Sequence, residues 1–168
     1  MPSVTTETKI GVFWDVEDCK LPDGLEPDSV TWNIKSALQR QGYSLNNVSI
    51  RAYGEKHNKS KDEFLLDDIM FLPAGDASGR RKRMVADIDS WALNNPGSNL
   101  MVICRCNMDF ATYLKDLKAR DFHILGAKPE NAPRNCSQCR ITLDELFTQA
   151  WLWESLSSDG GGDPIPRA

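Results

Sequence analysis

The sequence predicts an α/β fold around a mostly parallel sheet. Three observations carry that expectation: apolar runs without alternation (IGVFWD at 10–15, LMVIC at 100–104), helical stripes between them, and turn-forming residues at the junctions. Continuous apolar runs suit strands covered on both faces, and helices between consecutive strands supply the right-handed crossovers a parallel sheet needs.

Residues 9–15 make the first expected strand, after which Pro22 and Gly24 break the chain. From Asp28, read as an N-cap, Val30, Ile34, Ala37 and Leu38 recur at helical spacing until Gly42. NVSIRAYG at 47–54 alternates Val48, Ile50 and Ala52 with polar neighbours and reads as the second strand. A lysine-rich loop and the short run IMFLPAG follow. After Gly79, Met84, Ile88, Trp91 and Ala92 form one helical stripe to Asn94, and NNPGSN turns the chain. LMVIC is the fourth strand, the helix from Met108 carries Phe110, Tyr113, Leu114 and Leu117, and FHIL is the last strand. Residues 140–156 are expected to close the domain as a helix with Leu143, Leu146, Phe147, Ala150, Trp151 and Trp153 on its apolar face. The organisation is thus an N-terminal lead (1–8), one domain (9–156) and a flexible tail (157–168).

At 168 residues and 40% hydrophobic, the chain buries one core. No apolar run approaches bilayer length, and MPSVTTETK resembles neither a secretory signal nor a transit peptide. An intracellular address, cytoplasmic or nuclear, is expected, with no membrane partner. Five cysteines, an odd number, then read as thiols or ligands rather than bridges. A net charge of −4 argues against a general polyanion binder, yet GRRKRM at 79–84 sets four cations in a row.

Open parallel sheets bind ligands outside the carboxyl ends of their strands. Asp15, Glu17 and Asp18 gather at the end of the first strand, where like charges need a shared cation. Mg²⁺ or Mn²⁺ suits hard carboxylate oxygens, and Asp87 and Asp109 fall on the same sheet edge. Plainer uses exist for each: Asp109 favours a helix N-terminus, Asp87 pairs with Arg83 one turn away, and Asp18 shapes the turn. Asp15 is the informative one, because it ends a buried run and is costly there without a partner.

IGVFWDVEDCKLPDGLEPDSV, RAYGEK, LPAGDASGRRKRMVADIDSWALNNPGSNLMVI and WLWESL together closely resemble the NYN domain of the PIN-like nuclease superfamily. The plant members, related to the meiosis regulator and messenger-RNA stability factor family, match over residues 9–156. The resemblance implies a Rossmann-like, PIN-type three-layer domain that cleaves RNA, single-stranded by expectation, with Mg²⁺ or Mn²⁺ held by aspartates. It makes Asp15, Asp87 and Asp109 the catalytic, metal-holding acids, with Asp18 assisting. Arg80, Arg81, Lys82 and Arg83 lead into the helix bearing Asp87 and, with Arg105, are expected to grip phosphate.

The chain departs from the family at CRCNMDF (104–110), where Ser-Gly-Asp is the family pattern. Cys106 or Asn107 takes the place of a central carboxylate; Asn107 keeps a neutral oxygen for a metal, whereas a thiol is a poor Mg²⁺ ligand. Two functions follow: a metal-dependent endoribonuclease weakened by that loss, or a catalytically inactive nuclease-like domain serving as an RNA-binding or protein-interaction adaptor. Targeting is expected from protein partners or a second copy of the chain.

Other constellations are weaker. CSQC at 136–139 with Cys104 and Cys106 offers four thiolates for zinc, but no second C-x-x-C supports them. His57 and His123 have no partner at ligand spacing, and GDASGR lacks the lysine of a phosphate-cradling loop. Trp32, Trp91, Trp151 and Trp153 fall on apolar helical faces and read as core.

Overall fold

The computed structural model describes residues 9–44, 48–55, 69–105, 108–129, 146–158 and 161–165. Six parallel strands form one sheet: β1 (Ile10–Asp15), β2 (Val48–Gly54), β3 (Met70–Pro73), β4 (Asn99–Ile103), β5 (His123–Lys128) and β6 (Gln149–Leu152). Their spatial order is β3-β2-β1-β4-β5-β6. Helices α1 (Pro27–Arg40), α2 (Ala77–Asn94), α3 (Met108–Ala119) and the short α4 (Trp153–Leu156) connect or follow the strands, and Leu146 is helical as well. The α/β expectation therefore holds, with the sheet parallel throughout. No described helix is long and apolar enough to cross a membrane.

β1 reads as a solid apolar run because both of its faces are covered. Val12 and Trp14 pack with Val30, Ile34 and Leu38 of α1, with Trp151 of β6 and with Trp153 of α4. Phe13 points the other way, into Met84, Ile88 and Trp91 of α2 and Leu114 and Leu117 of α3. Two cores flank one sheet, giving the three-layer architecture. Gly11 is the one gap this stacking requires: a Cβ there would lie 2.9 Å from the Trp91 ring.

Helix starts follow local chemistry. In α1 the cap is Glu26, not Asp28. Pro27 takes the first helical position, where its fixed φ and missing N–H cost nothing, and Asp28 moves into the first turn. In α2 the Asp76 side chain accepts from the Gly79 N–H at 2.9 Å, a true N-cap.

The chain departs from expectation after β5. Residues 149–152, expected within a helix, form β6 paired to Leu125–Lys128. A short aromatic run does not distinguish helix from strand by periodicity, and the open edge of β5 offers a hydrogen-bond ladder that an isolated helix lacks. Helix returns only at Trp153–Leu156. Residues 161–165, expected in a free tail, dock on the domain: Ile165 N–H donates to Ala150 O at 2.6 Å and Arg40 Nη2 to Gly162 O at 2.6 Å. Trp32, expected in the core, is 63% exposed.

Strands 1 to 3 step one way from β1 and β4 begins on its other side, so the topological switch point lies between β1 and β4. That crevice is the ligand position of doubly wound sheets.

Candidate functional site: an acid pocket closed by arginines

Asp15 is the last residue of β1 and is fully buried. The chain turns over it at once, because its Oδ1 accepts from the backbone N–H groups of Glu17 (2.9 Å) and Asp18 (3.1 Å). This carboxylate-to-backbone turn explains why acids crowd the strand end. Arg80 Nε then donates to both Asp15 oxygens at 3.0 Å, and Arg81 Nη1 donates to Oδ2 at 2.7 Å. Asp18 completes the cluster: its Oδ2 accepts from Arg81 Nη2 at 2.5 Å and from the Arg105 backbone N–H at 3.1 Å. Arg80 Nη1 is anchored on Gly75 O and Arg81 Nη2 reaches Arg105 O.

Two carboxylates thus face two guanidinium groups, and the pocket is electrically balanced from within the chain. Arg80 has 5% of its side chain exposed and Arg81 13%. Short, charge-assisted bonds of this kind offset desolvation only when every partner is in place. Burial opposes the Arg81 charge, yet Cys104, Asp18 and Asp15 raise its pKa above the ordinary guanidinium value. Nearby, burial pushes the Cys104 thiol up to about 12 and raises Cys19 further, with the acids Asp18 and Asp15 acting in the same direction. Both thiols stay protonated at neutral pH, which suits packing rather than metal ligation. Cys106, Cys136 and Cys139 of the zinc expectation, and His57, lie outside the described residues.

The predicted acids separate here. Asp87 accepts from Tyr53 Oη at 2.8 Å and from Arg83 Nε at 3.1 Å, a different set of donors from that of Asp15. Burial, and then the bond to Asp87, raises the Tyr53 pKa. The backbone of Asp109 is the second residue of α3, and its side chain, like Asn107 as a whole, lies outside the described residues. Among the described residues no three acid, histidine or cysteine side chains converge at metal-ligand spacing.

A divalent ion does not fit the arrangement of the described residues. It needs open carboxylate lone pairs, and those of Asp15 are taken by four donors.

The predicted cations divide in the same way. Arg80 and Arg81 turn inward as counter-ions of Asp15 and Asp18; Lys82, Arg83 and Arg105 stay on the surface. Sequence reasoning missed the inward pair, although a signal was there. Cations near a helix N-terminus oppose its dipole, so two arginines at the fourth and fifth positions after the Asp76 cap call for an acid partner.

Two open grooves flank the cluster. One, of about 740 Å³, runs between α2 and α3; the other, of about 610 Å³, lies between the turn after β1 and α4.

The NYN domain model matches residues 9–145. No curated protein matches the chain in sequence. Among solved structures it is similar to a protein of unknown function from Vibrio parahaemolyticus, with a TM-score of 0.56 and 16% identity covering 90% of this chain and 95% of that one. It is also similar to the UDP-GlcNAc 2-epimerase from Methanocaldococcus jannaschii, with a TM-score of 0.48 and 14% identity covering 86% of this chain and 39% of that one. At such identities the Vibrio protein speaks for the fold alone. The matched segment holds the switch-point crevice, the buried Asp15 and the arginines that face it, and the chain belongs to the NYN domain family, which has a nuclease-like fold.

Proposed function

We propose that this domain binds single-stranded RNA at the carboxyl rim of its sheet and holds it without metal-assisted hydrolysis. One observation carries the reading: the acid at the head of the crevice is neutralised by Arg80 and Arg81, which take the lone pairs an ion requires. Membership of the NYN family supports RNA as the ligand class. Lys82, Arg83 and Arg105 supply exposed positive charge at the same rim, and such contacts position a backbone without reading sequence. The resemblance to plant regulators of messenger RNA supports a place in RNA regulation, with targeting supplied by protein partners.

A second reading is a metal-dependent endoribonuclease using Mg²⁺ or Mn²⁺. It is favoured by the backbone position of Asp109 in the first turn of α3. That reading requires the arginines to release Asp15.

Anisotropy of a labelled single-stranded RNA, measured in EDTA and again in Mn²⁺, separates the two, with a gel of the recovered RNA. Equal affinity in both buffers and intact RNA are expected. Mn²⁺-dependent cutting that disappears in Asp15→Asn would establish the nuclease reading instead. No binding in either buffer overturns both.

A further inference from the structure

We propose that the groove between α2 and α3 is a binding site for a guanine nucleotide carried by single-stranded RNA. The proposal rests on the RNA-binding reading and adds a place and a base to it.

Lys82, Val85, Ala86 and Asp89 are spaced i, i+3, i+4 and i+7 on α2 and line one wall, and Phe110 and Tyr113 of α3 line the other. At about 740 Å³ the groove lies in the size class of small-ligand sites. Its chemistry is polarised along α2. Lys82 is exposed at one end, and Arg81 beside it carries a buried Nε with no hydrogen-bond partner among the described residues. Asp89 is exposed at the other end, where its Oδ1 accepts from Tyr113 Oη at 3.3 Å.

Seven residues of helix separate the two ends by ~10 Å. That is the reach from a 5′ phosphate to the outer edge of a purine. The base would then lie against the half-buried Tyr113 ring, over the floor that Phe110 contributes, with the small Ala86 and Val85 opposite; stacking of this kind is the usual device for holding an unpaired base.

The carboxylate decides which base. Guanine alone presents two donors, N1–H and the N2 amino group, side by side to a single acceptor pair. Adenine and cytosine show one amino group there and uracil one imino N–H. An ionised carboxylate only accepts, so Asp89 favours guanine and gives uracil less.

Anisotropy titrations with uridine hexamers carrying one central G, inosine or A test the assignment, alongside displacement by free 5′-GMP. The wild-type chain should bind the G hexamer about tenfold more tightly than the A hexamer, with inosine between, because inosine lacks the second donor. Asp89→Asn, a surface change that leaves the fold intact by thermal melting, should abolish that preference and keep binding of the A hexamer. Lys82→Ala should weaken all three hexamers together and lower the slope of log K against log salt by about 1. Equal affinity for G and A in the wild type, or a G preference that survives Asp89→Asn, overturns the proposal while the RNA-binding reading stands. Free 5′-GMP binding as tightly as the G hexamer overturns the assignment to RNA. No binding of any hexamer removes the broader reading as well.

Discussion

The α2 helix carries two acid–arginine pairings about one turn apart, and they obey different physics. Arg80 and Arg81 meet Asp15 in a pocket where the acid has no exposed surface. Arg83 meets Asp87 with 48% of the arginine and 20% of the acid side chain exposed. The residue types are the same and the distances similar, so burial is the variable that differs. In the first case water has been replaced by fixed donors, and each member depends on the others. In the second, water competes for both groups and shares the work. Counting ion pairs along this helix would therefore misjudge it.

Asp15→Ala should break the contrast most visibly, because it strands two guanidinium groups out of water. A loss of about 3–5 kcal/mol is expected in urea unfolding, as for other buried pairs deprived of one partner. A loss below 1 kcal/mol would mean that solvent reaches the pocket. Alkaline titration should come next in size. The Cys104 thiol ordinarily titrates at 9.0 and is held at about 12 by burial, so the folded chain keeps a proton that the unfolded chain releases. The stabilisation is complete below pH 9 and drains away as pH climbs toward 12, at up to about 1.4 kcal/mol per pH unit for each such proton. Melting temperatures measured across that range should fall, and Cys104→Ala should flatten part of the decline. Smallest is Arg83→Ala, worth about 0.5 kcal/mol and diminished further by salt. A cost rivalling that of Asp15→Ala would show that the Tyr53–Asp87 bond and the Arg83 pair act as one network.

Much of the fold was legible because it depends on local pattern. β1 and β4 declare themselves through unbroken apolar runs, and α1 and α2 through stripes such as Val30–Ile34–Leu38 and Met84–Ile88–Trp91. β6 was not legible. Gln149–Leu152 becomes a strand only because β5 leaves a ladder unpaired, and that is a property of the assembled sheet. The site divides in the same manner. Asp15 could be located from its place at the end of a buried run, and the crevice from the order of the elements. The identity of its counter-ion could not, since Arg80 lies 65 positions along the chain and arrives there only once the strands are laid side by side. Trp32 shows the converse limit: its spacing fits an apolar stripe, yet no described element covers it.

The docked segment near the C-terminus has a bearing on self-association. A sheet with bare rims invites another copy to add strands, and each rim here carries an obstacle. On one side Ile165 occupies the Ala150 carbonyl. On the other, β3 is only four residues long and finishes in Pro73, which has no N–H to contribute. Among the described residues, each rim thus carries a feature that opposes growth of the sheet from molecule to molecule.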